Sequence, residues 1–324
     1  MNDRKKLIIT LMILISIHGM ADNTGRGGMA GNFLRMGIGA RMMGMGGGSS
    51  ALTDDGHTLY YNPAGLVFLE DRWVTVGLRN MALDRHMFFL GYAQSLGRND
   101  QLKPGMLRGG FGLGWLSAGV SDIDQRDGNG IHEGMLSHGE HCFYFSFAVN
   151  PSARFAVGLS GKMLYNRFPD VAKKGGAFSS TGFGFDFGVA VKPFDSVTLG
   201  AAFRDVRAKY TWNSQAVYDQ GIQVTDYFPR VLQLGMAWSG LSGTLILHGD
   251  YKKIEHMPGI CMFGMEYTLM SQFYLRAGIQ SQEPTFGLGY CGDLLSKGFR
   301  LDYAYVSDPV APSDNHIMTC AFYF

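Results

Sequence analysis

From residue 72 to its end, this chain switches between apolar and small or polar side chains at almost every step. Phe111, Leu113 and Trp115 alternate with Gly110, Gly112 and Gly114. Phe183, Phe185, Phe187, Val189 and Val191 alternate with Gly184, Asp186, Gly188, Ala190 and Lys192. Phe273, Leu275, Ala277 and Ile279 repeat the pattern, as do Phe299, Leu301, Tyr303 and Tyr305. Neighbouring side chains of a strand point to opposite faces, so each segment has one apolar face and one small or polar face. Such a chain is restricted to antiparallel sheet.

A soluble sandwich alternates in the same way, so the kind of sheet rests on other features. Several segments run about ten residues, the length a tilted strand needs to cross a bilayer. Charged residues make up 17% of the chain, against about 25% in an average soluble domain. Fourteen segments are predicted, near 72–80, 84–95, 109–120, 140–150, 153–166, 180–193, 197–206, 229–239, 243–256, 259–269, 272–281, 284–292, 297–306 and 314–324. An even number returns both termini to one side of the membrane, as single-chain bacterial barrels require. Connection lengths take turns as well. Asn150–Ala153, Phe194–Ser196 and Gly240–Ser242 are tight, whereas 121–139, 167–179 and 207–228 read as long extracellular loops. The expected fold is an all-β transmembrane antiparallel barrel of about 14 strands, the only way strands can span lipid with every backbone polar group paired.

Residues 1–21 read as a secretory signal peptide, with Arg4, Lys5 and Lys6 ahead of the apolar run Leu7 to Ile17 and the small residues Gly19 and Ala21. That run is shorter than the roughly 20 apolar residues of a spanning helix. The signal holds three of the 28 Lys and Arg and one of the 27 acidic residues, leaving 25 basic against 26 acidic side chains. A balanced chain lacks the basic face of a nucleic-acid binder. Strand parity puts Cys261 and Cys320 on apolar faces and Cys142 and Cys291 on the opposite ones, which predicts unpaired thiols.

Between signal and strands lies a glycine-punctuated stretch. Phe33-Leu34 is followed by Gly37-Ile38-Gly39-Ala40-Arg41, Gly44, Gly46-Gly47-Gly48, the pair Asp54-Asp55, then Asn62-Pro63-Ala64-Gly65. Glycines let a small plug turn and pack its backbone closely, and Asn62-Pro63 is a turn-forming pair that fixes the feed into the first strand. In order and spacing this stretch resembles the hatch of the FadL-type outer-membrane channels, and is similar to their PorV/PorQ-like branch. The chain also ends Phe322-Tyr323-Phe324, resembling the signal read by the outer-membrane assembly machinery. The resemblance implies three parts: signal peptide 1–21, hatch 22–71 and outer-membrane barrel 72–324. It also implies passive uptake of a hydrophobic ligand, long-chain fatty acids above all, with Asp54, Asp55, Asn62, Pro63, Ala64 and Gly65 in the gate and no cofactor. The alternative is a PorV-like accessory barrel that binds a secreted protein at the cell surface.

Arg154, Lys162, Arg204, Arg276 and Arg300 fall on inferred lumenal faces. Arg204, Arg276 and Arg300 are the candidate ligand-binding residues, since arginine can hold a carboxylate through two parallel hydrogen bonds. The competing expectation is that these cations neutralise Asp186, Asp250 or Asp302. His132, Glu133, His138, Glu140 and His141 lack the spacing of a metal site, and Asp122, Asp124, Asp127 and Asn129 depart from a calcium-loop register. No nucleophile elbow, phosphate loop or HExxH motif occurs, so the chain is not expected to be an enzyme.

Overall fold

The computed structural model describes residues 28–96, 108–172, 176–217, 220–294, 297–308 and 313–324. The expected signal peptide lies outside them. Two short helices, α1 (Ala40–Gly44) and α2 (Thr58–Tyr61), precede the strands. The first seven strands are β1 (Trp73–Met81), β2 (Arg85–Leu96), β3 (Arg108–Arg126), β4 (His132–Ser152), β5 (Phe155–Ala172), β6 (Gly176–Phe194) and β7 (Val197–Val206). A short pair follows, β8 (Lys209–Asn213) and β9 (Gln223–Tyr227). The rest are β10 (Val231–Gly240), β11 (Leu245–Ile254), β12 (Gly259–Leu269), β13 (Phe273–Gln280), β14 (Glu283–Leu294), β15 (Lys297–Val306) and β16 (Asn315–Tyr323).

All of these but β8 and β9 close one antiparallel barrel of fourteen strands, each paired with its sequence neighbours. The seam is β1 on β16, from Trp73 opposite Tyr323 to Asn80 opposite His316. The Trp73 and Tyr323 rings stack there at 4.8 Å. Alternation decides which way each side chain faces. Leu90, Phe145, Phe147, Phe183, Phe187, Leu234, Phe286 and Leu288 lie exposed on the outside. Their inward neighbours, such as Tyr144, Ser146, Asp186, Gln233 and Thr285, are buried. An outer wall of this kind is stable only in hydrocarbon. The cysteines follow the expected parity, Cys142 lying buried, and all four are free.

Strands extend further than the sequence suggested at one rim. The expected loops 121–139 and 167–179 are mostly strand, because β3 to β6 continue past the barrel as two hairpins. Pairing of β4 with β5 starts only at Gly139 opposite Arg167, so the hairpins part above that level. Outside the membrane no lipid face demands an apolar stripe, and Asp122, Asp124 and Gln125 hide the period of two. Asp127 closes the first tip by accepting from the backbone N–H of Asn129 and Ile131. Within 207–228, β8 and β9 form a ribbon from Lys209 opposite Tyr227 to Asn213 opposite Gln223. The other rim carries the tight turns and both barrel termini, which identifies it as periplasmic.

Residues 28–72 fill the lumen. Their side chains join inward-facing wall residues in one buried cluster that includes Phe33, Leu34, Met42, Met45, Leu59, Tyr60, Leu66, Phe89, Leu116 and Leu164. Glycines on the wall make the fit possible. A side-chain carbon at Gly44 would lie 2.9 Å from the Gly287 Cα, and one at Gly110 would lie 2.6 Å from the Leu66 Cβ. Gly158, Gly188, Gly200, Gly235, Gly264 and Gly278 meet plug backbone or side chains just as closely. The glycine-rich inner faces therefore hold the plug itself.

Candidate functional site: the plug and its polar seat

Two polar clusters join plug residues to strands far away in sequence. In the first, α1 carries Arg41 toward β12. Arg41 donates from Nε and Nη2 to the two Glu266 oxygens at 2.9 and 2.8 Å. It also grips Asp54 through Nη1 and Nη2 at 3.0 and 2.9 Å. Glu266 accepts from Arg276 Nε at 2.6 Å, and Arg276 Nη1 lies 2.8 Å from Asp302. Asp302 takes the Nε of Arg300 at 2.9 Å, and Arg300 returns to the plug through an ion pair with Asp55. Asp55 also holds the backbone N–H and ring Nδ1 of His57.

Three buried arginines thus face three buried carboxylates, Asp55, Glu266 and Asp302. Asp54, with its side chain 56% exposed, links the cluster to solvent. Bidentate pairs of this kind are directional. Their balance matters more than their net stabilisation, because removing one member strands a buried charge.

In the second cluster, Lys162 on β5 pairs with Asp186 at 2.6 Å and also with Asp205. Arg204 donates to Gln233 at 3.2 Å and lies over the Tyr60 ring, 5.3 Å from its centroid. Gln233 donates to Asp250, which receives the backbone N–H and hydroxyl of Ser50 in the plug. His248 Nε2 lies 2.9 Å from the Met45 carbonyl oxygen. Above this level the plug tip is stapled by two phenols. Tyr60 donates to the Leu34 carbonyl and Tyr61 to that of Ile38, each at 2.8 Å. Arg79 on β1 donates to the Met36 carbonyl at 2.7 Å.

The sequence-inferred residues can now be placed. Asp54 and Asp55 belong to the first cluster. Asn62 donates to the carbonyls of Ser50 and Val189 at 2.7 and 3.0 Å and accepts from the Ala64 N–H at 3.1 Å. Pro63 opens the turn Pro63–Phe68, and Gly65 packs against Thr58. Arg276 and Arg300 lie together in the first cluster and Arg204 in the second. Arg154 is not lumenal: it sits on a periplasmic turn, exposed, 3.7 Å from Asp195. Tight turns lift a side chain out of the strand register, so parity does not extend to residue 154. Among the described residues no group of His, Cys, Asp or Glu converges as a metal site. His132 instead pairs with Asp124, and His138 with Asn166.

Sequence reading passed over Glu266, Asp205 and His57 as members of the site. Glu266 is legible in hindsight as an ionisable residue between apolar neighbours at membrane depth, the kind that faces inward and finds a partner.

The filled lumen is both polar and apolar, its two ionic clusters lying beside the buried cluster of Phe33, Leu59, Tyr60 and Phe89. One small cleft, beside Gly37, Arg79 and Phe89, measures about 10 Å³. A second, beside Arg35, Tyr60 and Arg204, is of the same size. Either is about the scale of a single water. A larger hollow of about 400 Å³ lies on the wall of β1 to β4, among Leu90, Leu113, Trp115, Phe143 and Phe145.

No protein-family model matches the chain, and no curated protein matches it. Solved structures do. The toluene transporter TbuX of Ralstonia pickettii aligns over 89% of this chain and 98% of its own, with TM-score 0.64 and 15% identity. The toluene transporter TodX of Pseudomonas putida aligns over 89% and 96%, with TM-score 0.57 and 16% identity. A FadL homologue of Pseudomonas aeruginosa aligns over 86% and 95%, with TM-score 0.59 and 11% identity. At these identities the likeness is one of fold: the chain has the fold of FadL-type channels.

Proposed function

We propose, from the FadL-type fold and a lumen filled by a separable plug, that this chain is an outer-membrane channel for passive uptake of hydrophobic small molecules. Long-chain fatty acids are the leading substrate class, and residues 22–71 act as the hatch. The observation that carries the reading is the way the plug is held. It is joined to the wall by hydrogen bonds and ion pairs centred on Arg41, Glu266, Asp55 and Arg300, all of which can break and re-form. On this reading an acyl chain crosses only when the plug shifts, since the two clefts beside its tip measure about 10 Å³ each. Arg276 and Arg300 are engaged by Glu266, Asp302 and Asp55, so a ligand carboxylate would meet them only after that shift. Arg204, at the upper level, would meet it first.

A proteoliposome assay tests this. Ser50 and Gly235 face each other across the plug–wall boundary, so a Ser50→Cys/Gly235→Cys pair can be cross-linked in a background whose four native cysteines are replaced by alanine. Uptake of a fluorescent fatty acid that stops on oxidation and returns on reduction is the expected result. Uptake indifferent to the cross-link would remove the gating role.

The second reading is an accessory barrel that holds a secreted protein at the cell surface. It is favoured by the two hairpins of β3–β4 and β5–β6, which part above the rim and expose Ile131 and Met135. Retention of a secreted protein on purification, with no lipid bound and no uptake, would support it.

A further inference from the structure

The connection from β7 to β10 starts and ends at the extracellular rim, yet both of its legs turn into the barrel. On β6, Ser180, Gly182 and Gly184 face inward and are buried, and the first leg of the β8–β9 ribbon covers them. A side-chain carbon at Gly184 would lie 2.8 Å from the Ala208 Cβ, and one at Gly182 would strike the Lys209 carbonyl oxygen. Ala208 and Tyr210 are each 1% exposed. From the second leg, Phe228 sets its ring against Gly31 of the plug tip and edge-on to Tyr210, 4.9 Å away. Ala208, Tyr210 and Phe228 share one buried cluster with Phe33, Leu34 and Tyr60 of the plug.

The ribbon is packed on the wall without being woven into it. β8 pairs with β9 in a sheet separate from the barrel, and Trp212 Nε1 braces the two by donating to Asp226 at 2.9 Å. Among the described residues, hydrogen bonding from β8 to β6 is one reciprocal exchange. The Thr211 N–H donates to Ser180 Oγ, and that hydroxyl donates to the Thr211 carbonyl, each at 2.9 Å. The rest of the contact is against glycine or apolar, so separation breaks no ladder. The chain enters the first leg through a sharp corner. Asp205 and Arg207 hold left-handed backbone angles, φ 63° and 58°, which are costly for residues with a side chain. Asp205 is pinned in that state, its N–H on Asp186 at 2.8 Å and its carboxylate on Lys162. Beyond a fixed corner, an internally braced ribbon can swing as one body.

We propose that the β8–β9 ribbon is a lid, seated in the extracellular mouth over the plug tip and lifting as a unit about the corner at Asp205 and Arg207. It is a second closure in series with the plug, and through Phe228 and Gly31 each restrains the other. As a gate for uptake it rests on the channel reading above; as a moving part it does not.

The test uses the full mature chain in detergent, with its four native cysteines replaced by alanine. Ala208→Cys reports the seated face, and Ile222→Cys, at a residue 67% exposed, is the open control. A maleimide is expected to label position 208 many-fold more slowly than position 222, but to completion while the barrel stays folded by its gel mobility. Ser180→Ala should speed labelling at 208 several-fold and leave 222 unchanged. Phe228→Ala, tested by hydrogen exchange, should speed exchange at residues 31–36. Labelling at 208 as fast as at 222 would overturn the proposal, since the ribbon would not be seated. A position 208 that stays unreactive in both the parent and Ser180→Ala would overturn it too, since the ribbon would be a fixed part of the wall. A Gly184→Cys/Ala208→Cys pair comes within disulfide reach after a shift of about 1 Å, and in proteoliposomes its oxidation should stop fatty-acid uptake reversibly. Uptake that continues with this pair oxidised would overturn the lid as a gate and leave the channel reading standing. Absence of uptake in every state would fail the channel reading, while the labelling rates still decide the lid.

Discussion

Arg41 of the plug and Glu266 of the wall, 225 residues apart, meet through two hydrogen bonds of 2.9 and 2.8 Å, and both are 3% exposed. Glu266 does not serve Arg41 alone, since it also accepts from Arg276. Neutralising Glu266 therefore takes a partner from two arginines at once, leaving Arg41 with Asp54 and Arg276 with Asp302, while neutralising Arg41 takes one partner from Glu266, which Arg276 can still hold. Glu266→Gln is expected to loosen the plug more than Arg41→Met does. Losses of about 3–5 kcal/mol follow when one partner of a buried pair is removed. The double variant should be less damaged than the two single effects added, with a coupling of about 0.5–3 kcal/mol. Denaturant unfolding with hydrogen exchange at residues 40–57 measures both. Strict additivity would mean that the contact carries no coupling.

The plug also depends on what the wall lacks. Gly44 and Gly287 approach so closely that a side-chain carbon on Gly287 would sit 3.2 Å from the Gly44 Cα. Gly287→Val adds three carbons at that spot without touching the lipid face. Overpacking of a filled core costs roughly 1–3 kcal/mol. Here the rigid barrel gives way less readily than the plug does. Conductance in planar bilayers is expected to rise, and protease added from the periplasmic side should cut residues 40–50 faster. A variant as silent and resistant as the parent would place the flexibility in the barrel wall.

Much of this was legible in the residues, for a definable reason. In β12, Met265 and Tyr267 alternate with Glu266, and lipid on one side makes each such choice visible. The strand 259–269 was accordingly placed to the residue. Where lipid ends, the signal fades. Asp122 to Arg126 form strand with no apolar stripe, and β8 is five residues long. The candidate site was legible only in part. Inward cations could be picked by parity, as Arg276 and Arg300 were. Some of their partners were legible too, Asp302 for Arg276 and Arg300 and Asp186 for Lys162, but Arg41 and Glu266 were not, because they meet through the closure of the barrel around the plug. Parity also failed at Arg154, where a turn interrupts the alternation.

Beyond the strand ends, Glu255 and Arg230 clip the long connection over the plug. The Arg230 backbone N–H donates to Glu255 at 3.2 Å and its Nε at 3.0 Å. These hydrogen bonds and the Arg230 charge hold the Glu255 carboxyl at about 2, against roughly 4.3 when free. A depressed carboxyl contributes stability above its free value and loses it as pH falls through the lower one. The clip should be intact at pH 5 and above and released only as pH drops toward 2. The side-chain carboxyl resonance of Glu255 should titrate near the lower value, and Arg230→Gln should return it toward the free one. Titration near the free value in the parent would mean that the clip does not form in solution. The adjoining Phe228, which packs on Gly31 at the plug tip, would then be less restrained.

Adjacent residues of β6 predict two different failures. Phe187 points outward and is 48% exposed, and by its place in the strand it sits near the middle of the apolar band. Gly188 points inward against Asn62 and Pro63. Phe187→Arg should cost about 2–4 kcal/mol, the penalty for a charge on the lipid face near the bilayer midplane. It should lower the yield of folded barrel, with plug protection normal in what does fold. Gly188→Val leaves the lipid face unchanged and drives a side chain into the Asn62 turn. The barrel should then fold in normal yield while exchange at residues 58–66 accelerates. Heat-modifiability on gels reads the first effect and hydrogen exchange the second. If both variants failed at folding, the plug would be part of how the barrel closes; if the effects separate, it is a body seated in a barrel that stands without it.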